Sequence, residues 1–355
     1  MRASLAALTA VLTGVAATVL AVLAPPQARP AAAAAAADVA VAVAAASQPN
    51  QVITVQASSS SSTTARFDLW TRLSTGGFRH HSGPVTANLG RNGIGATREG
   101  MGRTPAGVFT LTEAFGNQPT NGTRLPYFQA TRMDWWNSVS SSPAYNTHMR
   151  QTYSPGWPSE NLYTMGAVYA HAVVIDYNRF PVRAGAGSAF FLHVTNGRPT
   201  AGCVAIAAAS LNYVMRWLNP AARPVISMGV GSQATNIITQ ANAAAAKHNP
   251  QGHLDSVTGG RGTVRAVGWA ADPDSPSGRV TIDLYIDGRL AGRYGTGRYR
   301  PDVAAARPFG TWQGFDFTLT GVINGWHRVC VYAHNISLGT ANPRLGCRDI
   351  PVNPA

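Results

Sequence analysis

The sequence predicts a mainly β protein in two β-domains, and three observations predict it. Short apolar runs alternate or are β-branched, beginning at Phe67-Asp68-Leu69-Trp70-Thr71-Arg72-Leu73, and are bounded by Gly, Pro and Asn. A glycine-dense region, Gly90-Arg91-Asn92-Gly93-Ile94-Gly95 followed by Gly100-Met101-Gly102-Arg103-Thr104-Pro105-Ala106-Gly107, supplies tight turns between short strands. It completes neither Gly-x-Gly-x-x-Gly nor a Gly-Lys-Ser/Thr signature, so it does not read as a phosphate loop. The last hundred residues repeat the pattern, with strands expected at Thr263–Ala270, Val280–Ile286, Gly314–Leu319 and His327–His334. Turns fall at Asp272-Pro273-Asp274, Asp287-Gly288 and Asn324-Gly325, and Trp269 is the candidate buried tryptophan of a small sandwich.

A chain of 355 residues has room for about two domains. The net charge of +13 calls for an anionic partner. Nucleic acid is not expected, because the arginines are scattered, Lys247 is the only lysine and no basic block is interleaved with aromatics. Anionic cell-wall polymers satisfy the same charge. The apolar stretch from Leu5 to Ala24, preceded by Arg2 and followed by Pro25-Pro26 and an alanine tract, reads as an export signal. Membrane contact is expected only if that segment stays uncleaved. The boundaries implied are a signal and alanine-rich segment over 1–46, a serine-rich linker over 47–66, a first domain over 67–230, a linker over 231–252 and the accessory sandwich over 253–355.

Between Glu113 and Met165 regularity is poor and aromatics are dense, the composition of an insertion that packs on a sheet or covers a substrate. Leu125-Pro126-Tyr127-Phe128 is its portion expected nearest a substrate. Tyr169 to Asn178, containing His171, reads as an apolar strand, Asn212–Leu218 as a short amphipathic helix and Val225–Met228 as a closing strand. Gln233–His248 is a helix or a linker and marks the domain boundary.

Chemistry concentrates between these elements. Phe190-Phe191-Leu192-His193 is a buried strand ending in histidine, Asn196-Gly197 turns the chain, and Gly202-Cys203-Val204 returns a cysteine ten positions later. A thiol titrating near 8.5 needs an imidazole to raise its thiolate fraction, so Cys203 is the candidate nucleophile and His193 its base. A backbone carbonyl near Val194 or Thr195 is the expected orienting group. Backbone N–H groups of Gly202 and Cys203 are the candidate oxyanion donors. Tyr127, His171 and Thr200 are the candidate substrate contacts. The cysteine count supports this choice: Cys330 and Cys347, 17 positions apart in a β-rich segment, are natural disulfide partners worth about 3 kcal/mol, which leaves Cys203 unpaired. No metal or other cofactor is called for, since no His-Glu-x-x-His spacing occurs.

Taken together, Gly90-Arg91-Asn92-Gly93, Arg103-Thr104-Pro105-Ala106-Gly107-Val108-Phe109, His171-Ala172-Val173-Val174-Ile175, Phe191-Leu192-His193 and Thr200-Ala201-Gly202-Cys203-Val204 resemble the L,D-transpeptidase (YkuD) catalytic domain over about Phe67 to Gly229. The resemblance implies a curved sheet or sandwich with short helices, a thioester formed on Cys203 with a peptidoglycan stem peptide, and His193 as base. The sequence departs from the family pattern in a shorter histidine-to-cysteine gap and in Ala201, where a second histidine is usual. The expected activity is formation of L,D cross-links by a secreted enzyme. L,D-carboxypeptidase activity and a non-catalytic wall-binding module are the alternatives.

Overall fold

A computed structural model describes residues 48–353; the export signal expected over 1–46 lies outside them. The protein is mainly β, 43% strand and 12% helix, with a curled sheet and few short helices. In the first half the strands are β1 (Gln51–Ala57), β2 (Thr64–Arg72), β3 (Phe78–Asn88), β4 (Ile94–Gly95), β5 (Thr104–Pro105), β6 (Gly107–Thr110), β7 (Ala114–Gly116), β8 (Tyr127–Gln129), β9 (Asp134–Asn137), β10 (Thr147–Arg150), β11 (Glu160–Asn161), β12 (Ala172–Val174), β13 (Phe191–Val194), β14 (Val204–Ile206) and β15 (Val225–Val230). Ten of them form one sheet in the order β6-β15-β1-β2-β3-β14-β13-β12-β7-β8, while β10-β9-β11 form a separate small sheet and β4 pairs with β5.

The serine-rich linker expected over 47–66 is not a linker. Gln51–Ala57 is a central strand, parallel to β15 and antiparallel to β2, and Ser58–Ser62 is the turn of the β1–β2 hairpin. Val52 packs with Phe78, Val225 and Ile238, whereas Ile53 and Val55 belong to the main core. A strand covered on both faces shows no polar alternation, which removes the period-2 signal. The turn is tied by its own hydroxyls, the Ser59 N–H donating to Ser62 Oγ at 3.0 Å. At the other boundary Ser232–Ala246 is a helix whose Ala234 and Ile238 are buried, so this part of the expected linker is folded onto the first domain.

The main core lies on one face of the sheet, where the helix Ala208–Trp217 seats Leu211, Val214 and Met215 against Leu192, Val204 and Ile206. The opposite face carries a second cluster with Phe115, Trp136, Leu162, Tyr169, Ala172, Phe191 and Cys203, roofed by the β10-β9-β11 sheet. The aromatic-dense insertion therefore divides. Trp136 and Tyr145 pack inside, while Trp157 is 91% exposed. The strand expected over Tyr169–Asn178 is shorter, Ala172–Val174, because Tyr169 ends a 3-10 turn over Gly166–Tyr169.

The C-terminal half contains β16 (Gln251–Gly260), β17 (Thr263–Ala271), β18 (Thr281–Ile286), β19 (Arg289–Gly295), β20 (Gly314–Thr320), β21 (Gly325–Ala333) and β22 (Arg344–Val352). They form two sheets, β16-β17-β20 and β19-β18-β21-β22, which enclose a core including Leu254, Val264, Phe315, Ile282, Leu284 and Val331. Trp269 is not part of that core: it is half-buried on the outer face of β17, beneath the Arg307 guanidinium at 5.8 Å. Cys330 and Cys347 sit directly opposite each other on β21 and β22 and form the expected disulfide. The Gly339 N–H donates to the Thr75 carbonyl at 2.8 Å, and His248 on the connecting segment pairs with Asp274, so the two halves are bonded together.

Candidate active site

The sheet register puts the two chemical side chains on one face. β13 and β14 run parallel with Leu192 opposite Val204 and His193 opposite Ala205. Alternation then sends Leu192, Val204 and Ile206 into the main core and Phe191, His193, Cys203 and Ala205 to the other face. Phe191 and Cys203 do belong to the second cluster. The loop from Thr195 to Gly202 is the crossover that makes this pairing parallel.

Neighbouring turns hold the cysteine turn rigidly. Thr200 Oγ1 accepts from the Gly202 N–H at 3.0 Å and donates to the Cys203 carbonyl at 2.7 Å. Thr104 Oγ1 accepts from the Gly90 N–H at 2.8 Å and reaches the same carbonyl at 3.4 Å. The Thr200 N–H donates to the Leu89 carbonyl, and the Thr200 carbonyl accepts from the Arg91 N–H, each at 2.8 Å. The glycine-dense turns thus clamp the Cys203 loop. Gly202 has φ +147°, and a Cβ there would meet the Phe190 ring at 2.6 Å, so only glycine fits.

These bonds alter two expectations. The Gly202 N–H, expected as an oxyanion donor, is committed to Thr200 Oγ1. Thr200 fixes the loop through its hydroxyl. His171 and Tyr127 do not join Cys203. Tyr127 packs against the main core and donates to the Gln118 carbonyl at 2.6 Å; His171 bonds the Pro119 carbonyl at 2.9 Å, with the two rings 6.3 Å apart.

His193 is 8% exposed. Its Nδ1 lies 2.9 Å from the Val194 carbonyl, which only accepts, so Nδ1 carries the proton and Nε2 keeps its lone pair. This is the orienting carbonyl expected near Val194 or Thr195. Burial lowers the imidazole pKa, with the Val194 bond acting in the opposite direction, which favours the neutral ring. Cys203 is 6% exposed and its thiol donates to the Ala189 carbonyl at 3.3 Å. Ala189 holds φ +57°, a left-handed conformation costly for a residue with a Cβ, and its N–H is held by Asn146 Oδ1 at 3.2 Å. Burial pushes the thiol up to about 12 and the nearby Glu160 carboxylate acts in the same direction, so the resting sulfur is protonated. An apolar groove of about 310 Å³ lies elsewhere, between the helix Ala208–Trp217 and β2–β3, and touches neither Cys203 nor His193.

Two residues of the site escaped the sequence reading. Tyr169, 2% exposed, stands edge-on to His193 with ring centroids 5.3 Å apart, shares a buried cluster with Cys203, and donates its hydroxyl to Glu160 Oε2 at 2.6 Å. Glu160 comes from β11 in the roof sheet. One signal was available: Glu160 is one of only 15 acidic residues, in a segment otherwise without regularity.

Residues 65–226 match the family model of the L,D-transpeptidase catalytic domain, YkuD. The match omits β1, which completes the middle of the sheet. No curated protein matches the chain. The domain implies a cell-wall function of the L,D-transpeptidase type, on peptidoglycan peptides and outside the cytoplasm.

Proposed function

We propose that the chain is an exported cysteine acyltransferase that forms L,D cross-links in peptidoglycan through a thioester on Cys203. The observation that carries this reading is the placement of Cys203 and His193 on one face of adjacent parallel strands, with His193 oriented by the Val194 carbonyl so that Nε2 is free to take a proton. His193 accepts the thiol proton as sulfur attacks the carbonyl before the terminal D-alanine of a tetrapeptide stem. The tetrahedral intermediate collapses, the proton passes from the imidazole to the departing amine, and a thioester remains. An amine of a neighbouring stem attacks the thioester, regenerating the thiol and leaving an amide cross-link. Water in place of that amine gives the L,D-carboxypeptidase outcome. The net charge of +13 suits retention on anionic wall polymers, and the C-terminal sandwich serves wall binding or spacing.

A second reading has one observation in its favour. A thiol this buried and this basic suits a wall-binding module that no longer acylates. Intact-mass analysis of the protein from Ser47 onward separates the two, after incubation with a tetrapeptide stem or a carbapenem and beside Cys203→Ala. An acyl adduct on the parent alone supports the transferase. Its absence from folded protein with a free thiol supports the binding module.

A further inference from the structure

We propose that the outer face of the β19-β18-β21-β22 sheet binds the glycan strand of peptidoglycan, a chain of neutral pyranoses, in a groove lined by Tyr285 and Tyr332. The inference rests on the cell-wall reading above and gives the C-terminal sandwich its ligand.

Strand alternation makes this face. β21 reads Trp326-His327-Arg328-Val329-Cys330-Val331-Tyr332-Ala333. Val329, Val331 and Ala333 are fully buried in the sandwich core, so a period of two turns Trp326, Arg328, Cys330 and Tyr332 outward. On β18 the buried Ile282 and Leu284 likewise turn Asp283 and Tyr285 to the outer face, Asp283 opposite Tyr332 and Tyr285 opposite Cys330. A groove of about 480 Å³ opens there, lined by the two tyrosines, Asp283, Arg328, His334 and Asn342. That volume lies within the roughly 300–1,000 Å³ usual for ligand sites. The tyrosine rings stand edge to face with centroids 5.2 Å apart, and neither hydroxyl has a hydrogen-bond partner among the described residues.

Charge decides the occupant. Asp283, 5% exposed, accepts from Arg293 Nε at 2.7 Å, and His334 Nε2 lies 2.6 Å from its other oxygen. Arg328 pairs with Asp349 at 3.3 Å. The charged side chains lining the groove are thus partnered within the sheet, and a neutral ligand matches them better than a polyanion does. Their remaining N–H groups and lone pairs, with the free tyrosine hydroxyls, can still bond hydroxyls. A pyranose fits both kinds of surface: its C–H groups form an apolar face for an aromatic ring, and its hydroxyls stand around the edge. Trp326, 74% exposed, faces the same way as Tyr332 and lies six residues before it, about 20 Å along the strand. Aromatics spread over that length suit an extended chain of sugars.

The test is co-sedimentation of the full chain with chitin, a neutral β-1,4-linked pyranose polymer that carries neither stem peptides nor anionic groups. The parent should be retained with an apparent Kd that changes by no more than about twofold between about 50 mM and about 500 mM NaCl, because a neutral ligand releases no counterions. Tyr285→Ala combined with Tyr332→Ala should weaken retention by about tenfold or more, the usual effect of truncating aromatic anchors. Trp326→Ala should weaken it by about threefold or more, and at so exposed a position it carries the test if the double variant does not fold. A folded parent that is not retained, or retention untouched by these substitutions, overturns the proposal. Retention that falls by about tenfold or more across the salt range also overturns it, and marks anionic wall polymers as the partner. Acylation of Cys203 by a carbapenem is read on the same parent: retention without an adduct sinks the transferase reading alone, and an adduct without retention sinks the glycan site alone.

Discussion

The two halves of the molecule handle their titratable groups in opposite ways. Around Cys203, His193, Tyr169 and Glu160 the largest cause of every shift is burial, which holds charge off the groups. In the C-terminal sandwich two groups, Asp283 and His327, are instead shifted mainly by the partners they bond. The Arg293 guanidinium is the first cause that holds Asp283 below the usual carboxylate range, with His334 adding to it, and Asp287 raises His327. The same β architecture therefore sets its titratable groups by burial around the candidate site and by charge pairing at Asp283 and His327.

Substitutions sharpen that contrast. The largest effect is expected from Cys203→Ala, which should abolish the acyl adduct while the fold is retained, as read by intact mass and circular dichroism. His193→Asn should lower the acylation rate by about 10²–10⁴-fold, the usual range for a lost general base, with the unfolding midpoint close to that of the parent. Gly202→Ala should also suppress acylation, because the new methyl meets the Phe190 ring and the backbone remains left-handed; thermal unfolding would report the accompanying strain. In the sandwich, replacing both Cys330 and Cys347 by serine should cost about 2–4 kcal/mol in denaturant unfolding of that half. Acylation of Cys203 by the same protein should be unchanged, and a parallel loss of activity would contradict the division of labour.

The smallest effect concerns pH. The His193 pKa is lowered in the folded protein by burial, so the unfolded chain binds more protons in the window between that lowered value and the ordinary value near 6.5. Stability is accordingly complete above the ordinary value and falls as the solution is acidified through the window. Melting temperatures of the parent should decline on acidification below about pH 6.5 more steeply than those of His193→Asn. Equal slopes would place His193 in a less buried setting than the structure gives it.

Cys203 and His193 were legible in the sequence because both lie in one strand–turn–strand unit whose turn residues and apolar runs are local. The cysteine count made the thiol stand out and paired Cys330 with Cys347, and the disulfide between β21 and β22 is present. Strand β1 was hidden by its burial on both faces, and by a serine run that reads as a linker yet forms a hairpin turn. Strand β19, Arg289–Gly295, was missed for the opposite reason: it is an edge strand with little buried surface and no apolar alternation. Trp269 was placed inside on size alone, whereas its strand parity turns it outward between buried Gly268 and Ala270.

The sequence by itself determined a mainly β chain, a cysteine–histidine pair at close spacing, the disulfide and the family resemblance of the first half, because each depends on residues within one local unit or on a count. Tertiary structure alone decided the rest of the site. The parallel register of β13 and β14 set which face His193 and Cys203 share, the Thr104 and Thr200 hydroxyls fixed the loop, and folding over that face brought Tyr169 into the cluster that holds Cys203, with Glu160 bonded to it. The physical reason is burial: the environment that sets these groups' protonation is assembled from segments far apart in the chain and exists only once the sheet is roofed.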